Sequence, residues 1–299
     1  MISTTKTIQT ITASPWFLAI RPKTLPASAA PVIVGTACAA GDGGFALLPA
    51  LAALLGALLL QVAVNLANDY FDDKNGIDSE ERVGPIRVTQ SGLIPARAVF
   101  TAMGVCLVLA SAVGVYLMMK GGLPILLIGL ACILSTLAYS GGPYPIASNG
   151  LGEIFAFFFF GPVAVCGAYY VQTLQMGLRP FIASIPTGLL VAAIMNVNNL
   201  RDIHTDTAAG KRTLAVRLGR GKSSVICGLL ILIPFLMLPL LHLFGVISGF
   251  GYLALGSAPL TLPLLHALFY VEGTPLNQTL AKTAQLSVLF SLLLAIGLL

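Results

Sequence analysis

The chain has 299 residues, 57% of them hydrophobic and 9% charged, with a net charge of +5 and a mean hydropathy of +0.93. That composition excludes a water-soluble globular domain, because apolar stretches of about twenty residues, each long enough to cross roughly 30 Å of hydrocarbon, recur from end to end. No basic stripe with interleaved aromatics accompanies the positive balance, so nucleic acid is excluded as a partner, and the charge reflects membrane orientation and anionic ligands.

In chain order, residues 1–15 are Thr-rich, carry one charge and lack the short apolar core and small-residue cleavage site of a secretory signal. Nine spans are then predicted, at 17–40, 46–68, 97–119, 122–140, 151–173, 180–201, 222–244, 247–269 and 280–299. Barrel strands alternate polar and apolar residues, and these runs do not. The expected fold is therefore all-α, a polytopic membrane protein in one domain over 1–299. With the N-terminus inside, fourteen Lys and Arg fall in cytoplasmic segments and two, Lys120 and Arg179, fall outside. This places the C-terminus outside. The five cysteines all lie within spans, at spacings that fit neither a disulfide framework nor a zinc site, and are read as small packing residues.

Eight of the eleven acidic residues gather in two short segments that follow spans 2 and 6. The first contains Asn68, Asp69, Asp72, Asp73, Gly76 and Asp78, with Glu80 and Glu81 just beyond; the second contains Asn198, Arg201, Asp202, Asp206, Gly210 and Lys211. Spans 2 and 6 run in the same direction, so both segments lie on the cytoplasmic side. Asn198, Asp202 and Asp206 are spaced to share one helical face, as are Asn65, Asp69 and either Asp72 or Asp73. The match of Asp69-x-x-x-Asp73 to Asp202-x-x-x-Asp206 hints at an internal duplication. Carboxylates near hydrocarbon face a cavity, pair with a cation or serve function. Mg²⁺ takes oxygen ligands and one or two carboxylates, completing its shell with water and substrate phosphate. Two such clusters with basic neighbours point to divalent ions holding a phosphorylated substrate.

Other polar residues carry blander readings. Asp73, Glu80 and Glu81 are expected on a solvated loop face. His242 and His266 are read as hydrogen-bonded packing residues, and His204 points away from the two Asp residues that flank it. Glu153 opens span 5, where a carboxylate favours a helix N-terminus.

These residues resemble the UbiA superfamily of intramembrane aromatic prenyltransferases over the whole chain, with an N-D-x-x-D motif after helix 2 and a D-x-x-x-D motif after helix 6. The stretches Arg21-Pro22-Lys23-Thr24-Leu25-Pro26, Gly76-Ile77-Asp78, Gly84-Pro85-Ile86-Arg87, Tyr139-Ser140-Gly141-Gly142-Pro143 and Gly210 to Gly219 are similar to the branch that prenylates 1,4-dihydroxy-2-naphthoate. The common motif would place its last Asp at position 76, which is Gly here; Asp78 stands two residues later. The resemblance implies nine helices around a central cavity open toward lipid. It implies a Mg²⁺-dependent enzyme, with two ions bridging the diphosphate of a prenyl diphosphate, in a bacterial inner membrane, and menaquinone or phylloquinone synthesis as the pathway. Asn68, Asp69, Asp72, Asp202 and Asp206 map onto the metal and catalytic positions. Arg87, Lys211, Arg82 and Arg201 would hold phosphate oxygens. Tyr139 either lines the cavity near the allylic carbon or anchors at the membrane interface. Arg21 and Lys23 bind the aromatic acid's carboxylate or anchor to lipid, the second being more economical. Phe155 and Phe157 to Phe160 flank the prenyl chain or, more safely, face lipid and packing. Gly141, Gly142 and Ala27 leave room for a bicyclic acceptor, or serve a turn and close packing.

Other acceptors within the superfamily remain open: 4-hydroxybenzoate, homogentisate, chlorophyllide or haem. A CDP-alcohol phosphatidyltransferase would carry its Asp residues in one segment, and a transporter would place charges near mid-membrane.

Overall fold

The computed structural model describes residues 14–76 and 83–299, and every regular element among them is helical. Among the described residues, nine helices are long and apolar enough to cross a membrane: α1 Pro15–Gly41, α2 Leu47–Lys74, α3 Ala96–Gly121, α4 Leu123–Ser140, α5 Gly152–Thr173, α6 Leu178–Arg201, α7 Arg220–Leu243, α8 Gly249–Tyr270 and α9 Leu276–Leu298. All nine predicted spans fall on these helices, so the chain is an integral membrane protein.

One boundary differs where it matters. Hydropathy ends span 2 at residue 68, but α2 continues to Lys74 before Asn75 and Gly76 close it. The described part of the first acidic segment, Asn68 to Lys74, is thus the last two turns of a helix. Hydropathy marks where hydrocarbon ends; the helix continues because its carboxylates find partners, described below. Asp73, expected on a solvated loop, is half-buried on that helix.

Proline shapes two other helices. Pro22 disfavours helical backbone at the preceding residue, and Arg21 takes a left-handed conformation with φ 55°. This splits α1 into Pro15–Ile20, a 3₁₀ turn at Pro22–Thr24 and Leu25–Gly41. In α5, Pro162 has no N–H to donate, and a π turn over Phe159–Val163 absorbs the fault. Beside it Gly161 meets Gly188 of α6, where a methyl on Gly188 would lie 2.8 Å from the Phe157 carbonyl oxygen. Only glycine permits that approach, which brings the start of α5 against the end of α6.

α6 is the most buried helix and packs against α1, α5, α7 and α9, whereas α2, α3 and α4 form a more exposed group. At the end of the bundle opposite the acidic segments, Arg179 gathers several elements. Its guanidinium pairs with Asp42 at 2.5 Å and donates to the carbonyls of Val246 at 3.0 Å and Leu298 at 2.7 Å. The Tyr169 hydroxyl donates to the other Asp42 oxygen at 2.8 Å. One of the two basic residues outside the cytoplasmic count is therefore a structural clamp.

Candidate active site

α2 places Asn65, Asn68, Asp69 and Asp72 at helical spacings of three and four, on one face. Asn65 Nδ2 donates to the Ile20 carbonyl at 2.8 Å and to Thr24 Oγ1 at 3.0 Å, docking the Arg21–Thr24 turn onto this face. Asn68 Oδ1 accepts from Ser140 Oγ at 2.5 Å, joining the end of α4. Asp69 is 1% exposed, and both its oxygens accept from backbone N–H groups, Thr89 at 2.9 Å and Val88 at 3.3 Å. Asp72 pairs with Arg87 at 2.5 Å, and both side chains are buried. The segment 87–89 is therefore pinned over α2 by the motif itself.

The second half is built at the end of α6. Asp202 turns the helix, yet Asp202 N still donates to the Asn198 carbonyl at 3.1 Å and Asp206 N to the Asp202 carbonyl at 2.8 Å. The four-residue spacing of Asn198, Asp202 and Asp206 survives into the short helix Ile203–Ala208. Arg201 is 3% exposed; it forks onto both Asp202 oxygens at 2.7 and 2.5 Å and donates to Asn198 Oδ1 and Asn277 Oδ1, each at 2.8 Å. Gly210, with φ 71°, reverses the chain so that Lys211 returns to Asp206 at 3.3 Å. Burial pushes the Asp206 carboxyl up to about 6; Lys211 opposes this, and the charges of Asp202 and Asp72 reinforce it. Asp72 belongs to α2, so the two motifs act on one another across the bundle.

Among the described residues, no three His, Cys, Asp or Glu side chains already close on a point as a metal centre. Three of the four motif carboxylates are held by a basic neighbour instead, Asp72 by Arg87, Asp202 by Arg201 and Asp206 by Lys211, and the fourth, Asp69, by backbone N–H groups. The donors are carboxylates and Asn amides, without thiol or imidazole, and they repel one another. That chemistry fits a hard divalent cation.

Tyr139 lies between the halves. Its hydroxyl donates to Met195 Sδ on α6 at 2.9 Å and lies within electrostatic range of Glu153 and Asp72. Lys23 is exposed, Arg21 is half-buried, and Arg82, Asp78, Glu80 and Glu81 lie outside the described residues. His204 is exposed, as expected. His242 and His266 are exposed rather than packed inside, yet each ring packs on a tyrosine, Tyr252 and Tyr270 respectively, and His242 Nδ1 lies 3.3 Å from the Ile247 carbonyl, the hydrogen bond expected of it. A methyl on Gly141 would lie 2.9 Å from the Phe71 ring, and Gly142 has φ 82°. Packing at Gly141 and a turn at Gly142 fit the second of the two readings given for these glycines.

Glu153 is the residue that sequence reasoning underrated. It is 5% exposed, and its Oε1 accepts from Asn196 Nδ2 at 3.2 Å and Asn199 Nδ2 at 2.9 Å. Its occurrence at the head of a long apolar span was the available signal.

A profile of the UbiA prenyltransferase family matches residues 28–295. The chain is 35% identical over 289 residues to the 1,4-dihydroxy-2-naphthoate octaprenyltransferase of Escherichia coli K12, covering 94% of each chain. It is 37% identical over 298 residues to the protein of the same name from Haemophilus influenzae, covering 95% of each. The fold matches a UbiA homologue from Archaeoglobus fulgidus bound to GPP and Mg²⁺, with a TM-score of 0.63 at 18% identity over 95% of this chain and 99% of that one. On the family profile and on relatives aligned almost end to end, the chain belongs to the UbiA prenyltransferase family and is an aromatic prenyltransferase.

Proposed function

We propose that the protein transfers a prenyl group from a prenyl diphosphate to 1,4-dihydroxy-2-naphthoate, releasing diphosphate and CO₂, in menaquinone or phylloquinone synthesis. The observation that carries this is the pair of carboxylate motifs at the ends of α2 and α6, 130 residues apart in sequence, in which Asp72, Asp202 and Asp206 are each paired with a cation suited to phosphate. The names of the full-length relatives support the acceptor, and the GPP and Mg²⁺ bound by the archaeal homologue support the donor and metal.

Of the five residues implied as ligands, Asn68, Asp72, Asp202 and Asp206 would hold two Mg²⁺ ions, and Asp69 is left out because both its oxygens are taken by backbone N–H groups. When bound, Mg²⁺ neutralises the charge that grows on the departing diphosphate. Arg87 and Lys211, now on carboxylates, are placed to turn to phosphate oxygens when that charge arrives. Arg201 orients Asp202, and Asp69 holds the segment 87–89 in place, so both act through their neighbours. Tyr139 presents an aromatic face to the allylic cation. Burial within apolar helices protects that cation from water. Arg21, docked beside the motif through Asn65, and Lys23 remain the cations for the acceptor's carboxylate; Arg82 is assigned to phosphate from its sequence position. The motifs face the cytoplasm of a bacterial inner membrane, with the C-terminus outside and 1–299 acting as one domain.

Purified protein given Mg²⁺, mixed prenyl diphosphates and a panel of aromatic acids should yield, by mass spectrometry, a prenylated naphthalenediol as the major product. Exhaustive EDTA treatment should abolish it. Turnover of 4-hydroxybenzoate with none of the naphthoate would contradict the acceptor, and full activity in EDTA would contradict the metal.

A further inference from the structure

Glu153 is buried where α5 meets α6, and its two oxygens are treated differently. Oε1 takes both amide donors, from Asn196 and Asn199, whereas Oε2 is buried with no hydrogen-bond partner among the described residues. The amides cannot turn to serve it. Asn196 Oδ1 accepts from Ser223 Oγ at 3.3 Å, which fixes its NH₂ group toward Glu153, and Asn196 and Asn199 are themselves 0% and 2% exposed. A buried carboxylate oxygen without a partner is destabilising, and such groups call for a specific explanation.

The position narrows that explanation. Asn196 and Asn199 precede Asp202 by six and three residues on α6, so Glu153 lies about 5–9 Å deeper in the membrane than the diphosphate-facing carboxylates, at 1.5 Å of rise per residue. Tyr139 marks the same level: a methyl on Gly152, next to Glu153, would lie 3.4 Å from its hydroxyl. The Tyr139 hydroxyl itself is given to Met195.

A carboxylate oxygen accepts hydrogen bonds and does not give them. Of the reaction's components, diphosphate offers acceptors and negative charge, and the prenyl chain offers neither donor nor acceptor. Only the aromatic diol brings O–H donors on an otherwise apolar body. Resting on the function proposed above, we infer that Glu153 Oε2 accepts a hydrogen bond from a ring hydroxyl of the aromatic acceptor, fixing the depth and facing of the ring beneath the diphosphate. The hydroxyl keeps its proton in this role; the bond binds and orients the ring, with Asn196 and Asn199 as positioning residues that hold the carboxylate.

The test uses the full chain in lipid nanodiscs with Mg²⁺ and a prenyl diphosphate. Glu153→Gln keeps an oxygen for the two Asn amides and replaces the accepting Oε2 with a donor. The KM for 1,4-dihydroxy-2-naphthoate should rise about 10- to 100-fold, the loss of one hydrogen bond to a charged group, with the KM for prenyl diphosphate unchanged. A purely structural residue would move both, or neither. A buried water as the true partner of Oε2 would leave the acceptor KM unchanged and overturn the inference.

Wild-type protein supplies a second arm that does not depend on folding of the variant. Of 1-hydroxy-2-naphthoate and 4-hydroxy-2-naphthoate as competitive inhibitors, the one lacking the hydroxyl that faces Glu153 should bind about 10-fold more weakly than its isomer. Equal inhibition by both, at the level of the diol, would overturn the proposal. Failure of the acceptor assignment looks different: the wild type would not turn over the naphthoate at all. The KM comparison is then made with the hydroxylated acid it does use, and an unchanged KM in Glu153→Gln overturns the inference there too.

Discussion

Asp202→Asn is expected to lower the rate of prenyl transfer by about 10²- to 10³-fold, the usual loss when one preorganised charge-stabilising group is removed, with a smaller loss of thermal stability than Arg87→Ala. Arg201 is buried and loses its carboxylate, which costs stability. The loss is moderated because the amide keeps one oxygen for the guanidinium and Asn198 and Asn277 still accept from it. What the amide no longer supplies is negative charge toward a metal ion. Steady-state rates in nanodiscs, with unfolding followed by tryptophan or dye fluorescence, measure both quantities in one preparation. Glu80→Ala should leave the rate unchanged. Equal losses at positions 80 and 202 would argue that the cytoplasmic segments act as a structural unit.

Removing Arg87 should behave differently, because its partner is buried. Arg87 is 5% exposed and Asp72 6%, and their pair is 2.5 Å long. Arg87→Ala leaves an uncompensated charge inside the protein, a change that costs about 3–5 kcal/mol. The variant should therefore lose both stability and activity. Adding Asp72→Leu to Arg87→Met should recover much of the stability, since a buried ion pair replaced by apolar groups of similar volume is close to neutral or better. Activity should stay lost in the double variant, because neither the carboxylate nor the phosphate-facing cation is restored. Recovery of both would mean that the pair serves folding alone.

The membrane architecture was legible because each span must satisfy its backbone internally and bury apolar side chains, and both demands are written into contiguous sequence. All nine spans could be placed from hydropathy. The same signal ended α2 six residues early, since hydropathy reports solvent and not the partners that let Asp69 and Asp72 continue a helix. The motif residues could be named from charge in an apolar chain, but their present partners could not. That Asp69 binds backbone at 88 and 89, or that Arg201 forks onto its own neighbour, depends on where loops return. Glu153 shows the limit most clearly. At the head of a span it reads as a helix-dipole residue; its burial depends on Asn196 and Asn199, 43 and 46 positions away, brought near by the close approach of Gly161 and Gly188. No local periodicity encodes that contact.

A decarboxylating prenyl transfer to a naphthalenediol is the reaction proposed for this protein. Its most direct test is 1,4-dihydroxy-2-naphthoate labelled in the carboxyl carbon, supplied with prenyl diphosphate and Mg²⁺. Labelled CO₂ should appear in step with prenylated product, one for one, and both should fall together in Asp202→Asn. Product that keeps its labelled carboxylate would contradict the claim.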